Sequence, residues 1–210
     1  MYKTMNTMLL AFLLLFALIS QQPLLGAAEA SPEQVVDITG KKLIAGAYYN
    51  VLLTMPYTNS KSPEGLALSS IGEKCPLDVV VVNRYHSSPL RFTPLNTKKG
   101  VVRVSTDLNV MFAPNATCPY HSPVWKLDYY SVEGESVVTT DGFVGKPGAE
   151  SLDNWFKIEK YAAAYKLVYC PRVCISCKHQ CKDLGMAVDK NGNRRLALSY
   201  VPFQVKFVKA

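Results

Sequence analysis

Four cysteines near the C-terminus, Cys170, Cys174, Cys177 and Cys181, are spaced as a palindrome, and that spacing restricts the fold more than any other feature of the chain. In an antiparallel hairpin the numbers of facing residues have a constant sum, and positions four apart share a face. The two outer cysteines and the two inner ones have the same sum. A two-residue turn at Ile175-Ser176 would therefore stack Cys170 on Cys181 and Cys174 on Cys177, leaving Cys75 for Cys118. Six cysteines allow many other pairings, and two close pairs can also form a four-cysteine zinc site. If the long loop between Cys75 and Cys118 is closed by a bridge, the gain is roughly 4 kcal/mol in chain-entropy terms.

Disulfides rather than zinc follow if the chain is exported, and its start reads that way. Lys3 is followed by the uncharged run Met8 to Ile19 and by small residues at Ala28 and Ala30. This is the pattern of a secretory signal peptide over residues 1–30, since the apolar run is too short to span a bilayer. What remains, residues 31–210, is one domain with room for a core. Its balance of 22 cations to 15 anions suits a basic extracellular protein facing acidic polymers or acidic protein surfaces. The basic residues are scattered rather than striped, and with export this argues against a nucleic-acid partner. No membrane partner is expected.

The expected domain reads as short strands. Gly46 to Leu53 is rich in aromatic and branched residues, Cys75 to Asn83 carries a buried valine run, and Leu90 to Thr93 and Val101 to Ser105 flank a polar turn. Leu108 to Phe112 alternates as a half-buried strand does. Further strands are expected at Val124 to Tyr130, Ser136 to Thr140, Trp155 to Glu159, Tyr165 to Tyr169 and Val201 to Phe207, with a loop at Pro56 to Gly65. Asn191-Gly192, by supplying positive backbone angles, predicts a tight turn between Met186 to Asp189 and Arg195 to Leu198. About twelve short strands with frequent turns and no amphipathic helix imply an all-β sandwich or barrel. Tyr49-Asn-Val51, Trp125-Lys-Leu127 and Tyr165-Lys-Leu167 form a faint threefold repeat that favours a trefoil.

No catalytic constellation stands out, so no enzyme is expected and no cofactor or metal is called for. His86 and His121 each precede a serine outside any zinc-protease or nucleophile-elbow pattern. Cys174-x-x-Cys177 lacks the βαβ context of a redox motif. Asn115-Ala-Thr117 is an N-glycosylation acceptor, which places Asn115 on an exposed loop of an exported chain. The remaining conspicuous stretch is Pro94 to Val104, a basic turn whose flanks lie between Cys75 and Cys118. A bridge between those two is expected to hold it from both sides, so that binding would require little further ordering.

Val35-x-Asp37-x-Thr39-Gly40-Lys41-x-Leu43, five residues, then Tyr49-x-Val51 resembles the N-terminal signature of the plant Kunitz-type (soybean trypsin inhibitor) family. The resemblance continues at Cys75-Pro, Trp155-Phe-Lys-Ile, Tyr165-Lys-Leu-Val-Tyr-Cys170-Pro and Arg194-Arg-Leu-Ala-Leu198. It covers essentially the whole expected mature chain, and Val101 to Val110 with the Cys170 to Cys181 cluster is most similar to the miraculin-like branch.

This resemblance implies a β-trefoil with three disulfides and a secreted inhibitor of serine endopeptidases. Such inhibitors insert an exposed, substrate-like loop, which maps to Asn96, Thr97, Lys98, Lys99, Gly100, Val101 and Val102. Lys98 or Lys99 would suit the acidic pocket of a trypsin-like protease. Two positions depart from the inhibitory pattern. Ala45 stands where a loop-bracing asparagine is found, and Gly100 adds freedom to a segment that works by being stiff. A cysteine protease is a further target that the resemblance allows. The other function class is a defence or storage protein that kept the scaffold, lost inhibition and binds carbohydrate. With all six cysteines paired internally, a monomer is expected, in the extracellular space (apoplast) or onward in a vacuole.

Overall fold

A computed structural model of the chain describes residues 31–54, 63–75, 77–96, 100–114, 118–129 and 135–210. The fold is that of the unit Pro32–Ala210. The leader expected over residues 1–30 and the glycan acceptor Asn115 lie outside the described residues.

Twelve strands are present among the described residues: β1 Tyr48–Thr54, β2 Glu64–Ser69, β3 Asp78–Asn83, β4 Leu90–Pro94, β5 Leu108–Phe112, β6 Lys126–Asp128, β7 Val137–Thr139, β8 Lys157–Tyr161, β9 Ala164–Tyr169, β10 Lys182–Val188, β11 Arg194–Ser199 and β12 Gln204–Lys209. Six of them close a barrel in the order β1, β4, β5, β8, β9, β12 and back to β1. The β5–β8 contact is the single bridge Leu108↔Phe156. The other six form three hairpins, β2–β3, β6–β7 and β10–β11. These meet one another in a triangle through Arg195↔Val80, Ala197↔Val137 and Asp78↔Thr139. A six-stranded barrel capped by a triangle of hairpins is a β-trefoil. Arg195 donates to Asp78 and Arg194 to Glu64 at 2.6 Å, so ion pairs fasten the cap where its hairpins meet.

The threefold relation is legible in the barrel register. Val51 faces Phe207, Val110 faces Phe92, and Leu167 faces Ile158. Two residues earlier on the same strands stand Tyr49, Leu108 and Tyr165, whose neighbours on the other side are Leu90, Phe156 and Val205. All of these side chains are buried in one cluster. Rings interlock there, with Phe92 and Phe207 centred 5.4 Å apart at 86° and Trp125 and Phe156 5.7 Å apart at 89°. Edge-to-face pairs of this kind add about 1 kcal/mol each beyond area burial.

Several expectations are corrected. Trp125 and Leu127 are buried core residues, yet Trp125 precedes β6 in a cap hairpin, and the true mates of Tyr49-Val51 and Tyr165-Leu167 are Leu108 and Val110. β5 is buried at every position rather than half-buried, because the face opposite Leu108, Val110 and Phe112 is covered too: Met111 is buried and Asn109 donates to the Asn154 carbonyl at 2.7 Å. The stretch Val101 to Ser105 is not a strand. Its backbone makes isolated bridges, Ile44↔Val101 and Gln34↔Arg103, with the N-terminal segment. β2 was missed, and Glu64-Gly65 belongs to it rather than to a loop. The tight turn between β10 and β11 forms, with one of its two expected positive angles missing. Asn191 does not take a positive φ, whereas Gly192 does (82°), and the Asp189 and Asn193 backbones pair at 3.0 Å, giving the three-residue, glycine-closed form.

The palindrome holds. β9 pairs with β10 as Tyr169↔Lys182 and Val168↔Asp183, the register shared by Cys170 with Cys181 and Cys174 with Cys177. All three bridges form, with Cα separations of 6.0 Å for Cys75–Cys118, 4.4 Å for Cys170–Cys181 and 5.4 Å for Cys174–Cys177, and no cysteine is free.

Candidate functional site

The connection from β4 to β5 is the segment that the sequence marks. Leu95 and Asn96 are exposed, Gly100 is exposed with φ of 63°, and Thr97, Lys98 and Lys99 lie outside the described residues. Beyond them the chain dives inward. Val101 is half-buried and Val102 is wholly buried in the core, so Val102 cannot enter a protease and serves as an anchor.

The brace of this segment is not the one expected. β4 and β5 are antiparallel with Pro94 facing Leu108 and Leu90 facing Phe112. Cys118 therefore leaves β5 from the end opposite the 95–107 connection, and the Cys75–Cys118 bridge does not hold it from both sides. Backbone bonds from the N-terminal segment do that instead. Val35 N donates to Val102 O at 3.0 Å, Val102 N to Leu43 O at 2.9 Å, Val104 N to Glu33 O at 2.9 Å and Ala45 N to Gly100 O at 3.1 Å. The phenol oxygens of Tyr49 and Tyr165 accept from Ile44 N at 2.9 Å and Val36 N at 3.0 Å, which ties that N-terminal segment to the barrel. At Ala45 the support comes from the backbone alone, since its methyl group offers no hydrogen bond.

At the neck of the connection Leu95 N donates to Asp107 O at 2.8 Å. The Asp107 carboxylate accepts from Arg172 N at 3.1 Å, two residues past Cys170, and lies 3.7 Å from the Lys157 ammonium. Both charged groups are buried, and burial holds the Lys157 pKa below its ordinary value even though Asp107 opposes that shift. The disulfide hairpin is thus the covalent element that reaches the neck. A cleft of about 320 Å³ lies beside the segment, with Leu95, Asn96, Val101 and Arg103 on its wall.

An exposed basic segment elsewhere in the chain escaped the sequence reading. Between β3 and β4, Arg84–His86 form one 3₁₀ turn. Asn83 caps it by accepting from Tyr85 N at 3.1 Å, and the Ser87 hydroxyl donates to Arg84 O at 2.7 Å. The Arg84 guanidinium lies 4.9 Å from the Tyr85 ring centre, and Tyr85 is 77% exposed. Ser88 N donates to Leu66 O at 2.8 Å, and a side chain at Gly65 would meet Ser87 Cβ at 2.4 Å, so the segment lies directly on β2. The available signal was an Asn-Arg-Tyr-His run ending at Ser-Ser-Pro, which reads as a turn but carries no motif.

A family model described as trypsin and protease inhibitor, of the legume Kunitz type, matches residues 35–209. The chain is 40% identical to miraculin of Synsepalum dulcificum over 99% of its own length and 98% of that protein. It is 37% identical to Kunitz trypsin inhibitor 5 of Arabidopsis thaliana over 98% of its length and all of that protein. Among solved structures, a Kunitz-type cysteine protease inhibitor from potato superposes with a TM-score of 0.73 at 29% identity, covering 85% of this chain and 98% of that one.

Proposed function

The chain belongs to the legume Kunitz family of trypsin and protease inhibitors, and on that premise we propose that it is a secreted, monomeric inhibitor of serine endopeptidases, with trypsin-like enzymes the favoured target. It acts by binding and does no chemistry of its own. The observation that carries this reading is the braced β4–β5 connection, where backbone bonds from residues 33–45 and the Asp107 neck fix the described flanks, up to Asn96 on one side and from Gly100 on the other, of the stretch that carries Lys98 and Lys99. Flanks that are already fixed lose little entropy on docking. We assign the contact to Asn96, Thr97, Lys98, Lys99, Gly100 and Val101, with Val102 anchoring it from inside. One of the two lysines fills the acidic primary pocket of the protease.

The Arg84 segment supports a second placement of the same contact, because it presents an arginine on a capped turn seated on β2. Substituting Arg84 in one variant and Lys98 with Lys99 in another separates the two. The potato neighbour supports a cysteine protease as the alternative target. Titration of trypsin and of a papain-type protease with the mature protein tests the reading. Loss of activity at near-stoichiometric inhibitor supports it, and full activity of both enzymes at micromolar excess leaves the defence or storage role, with carbohydrate binding, in its place. Export would also put Asn115 within reach of glycosylation, whether the destination is the apoplast or a vacuole.

A further inference from the structure

His179 stands beside the Cys170–Cys181 bridge. One of its ring nitrogens and the two sulfurs lie within 4.8 Å of one another. The imidazole is oriented from two sides. Its ring packs edge-on to Tyr169, with centroids 6.4 Å apart at 81°, and its Nδ1 lies 3.3 Å from the Cys177 carbonyl oxygen. Donation from Nδ1–H to that carbonyl leaves Nε2 with a free lone pair, the arrangement that orients metal-ligating histidines. The sequence reading of a four-cysteine zinc site left this histidine out.

We propose that the bridge masks a metal site: once Cys170–Cys181 is reduced, Cys170, Cys181 and His179 bind one thiophilic dication of the zinc class. The reductant is a dithiol. Its two thiols become a disulfide as the Cys170–Cys181 bond breaks and both sulfurs take up protons. Metal binding then displaces those two protons to solvent. Sulfurs bound to tetrahedral zinc sit roughly 3.8 Å apart, given metal–sulfur bonds of about 2.3 Å. The three ligand atoms already lie within a span that contains such a site, so the hairpin arms need only part slightly. Water completes the fourth position. In the oxidised protein both sulfurs are spent in the bridge and the set offers a single imidazole. The bound metal would replace the covalent brace at the foot of the hairpin, two residues from the Arg172 contact with Asp107.

Cobalt(II) is the probe, because thiolate ligation gives a near-ultraviolet charge-transfer band and tetrahedral geometry gives strong visible bands. The full mature protein is compared oxidised and after anaerobic reduction by a phosphine, which does not compete as a thiol. A Cys75→Ser/Cys118→Ser/Cys174→Ser/Cys177→Ser variant, which keeps only Cys170 and Cys181, isolates the proposed set, and His179→Ala is made within it. The expected result is one equivalent of cobalt bound only after reduction and displaced by zinc. His179→Ala should weaken binding by no less than the 10- to 100-fold that loss of an outer partner costs. Absence of the bands in the reduced variant that keeps only Cys170 and Cys181 overturns the proposal. So does equal affinity in His179→Ala, which is also what an unfolded reduced chain with two free thiols would give.

Discussion

Asp37 and Asp189, far apart in the sequence, hold the same turn. In each case the aspartate N–H donates to the carbonyl four residues on, Lys41 at 2.8 Å and Asn193 at 3.0 Å. A glycine with positive φ, Gly40 or Gly192, donates back to the aspartate carbonyl at 3.0 or 2.9 Å. The carboxylate then gathers two further N–H groups, those of Thr39 and Lys41 at one turn and of Asn191 and Asn193 at the other. Asp-x-x-Gly is thus a structural repeat in a chain whose sequence repeats are otherwise faint.

These turns predict acid sensitivity. The Thr39 hydroxyl and backbone hold the Asp37 carboxyl below the usual carboxylate range, and Asn193 does the same for Asp189. A carboxyl with a lowered folded pKa contributes stability above its unfolded pKa, roughly pH 4, and that contribution is lost as pH falls through the folded value. Urea midpoints should therefore drop below about pH 4, and the double variant Asp37→Ala/Asp189→Ala should show a lower midpoint at pH 7 with a shallower acid decline.

The buried pair at the neck should behave as a unit. Asp107→Ala leaves Lys157 as an uncompensated buried cation and deprives Arg172 N of its acceptor, which should cost about 3 kcal/mol. Asp107→Leu with Lys157→Met should recover much of this, since apolar replacements of similar volume often match a buried ion pair. Urea denaturation checks the energies. Proteolysis at Lys98 and Lys99 should accelerate in the single variant, because the neck is what closes the connection.

The Cys170 to Cys181 pairings and the all-β class were legible in the sequence because hairpin arithmetic and strand spacing are local properties, whereas the trefoil rested on the family resemblance, one member of the threefold repeat having been misplaced at Trp125. The departures share a physical cause, which is contact between residues far apart in the chain. Val101 to Ser105 has the branched residues of a strand, but its partner is the N-terminal segment, so it makes bridges instead of a ladder. Asn109 looked outward-facing because nothing nearby in sequence reveals the Asn154 carbonyl that receives it. β2 was hidden because Glu64, Gly65 and Ser69 dilute its pattern, and Gly65 is there to let Ser87 approach. The brace of the candidate segment was assigned to Cys75–Cys118 because those cysteines flank it in sequence, while the register puts Cys118 at the other end of β5.

Bridge removal should separate stability from loop order. Cys75→Ser/Cys118→Ser should destabilise by roughly 4 kcal/mol on the chain-entropy estimate and leave hydrogen exchange at Val102 and Val104 protected relative to the global value. The Cys170–Cys181 bridge closes a shorter loop, worth about 3 kcal/mol, yet its removal in Cys170→Ser/Cys181→Ser should expose Leu95 N and Arg172 N to faster exchange. Native-state hydrogen exchange distinguishes the two patterns.

Gly65→Ala should test the seat of the Arg84 segment. The added methyl meets Ser87, and overpacking of this kind costs about 1–3 kcal/mol. The Arg84–Ser88 turn should shift while the β4–β5 connection stays in place. Inhibition that survives Gly65→Ala points to the lysine segment, and inhibition that falls with it points to Arg84.

The most direct test of the account is titration of trypsin with the mature protein and with Lys98→Ala/Lys99→Ala and Arg84→Ala. The account predicts loss of trypsin activity by the unaltered protein near one equivalent, and weakening on the order of 100-fold or more in the variant that loses the cation filling the primary pocket. Full trypsin activity at micromolar excess of the unaltered protein, or equal inhibition by all three proteins, would contradict it.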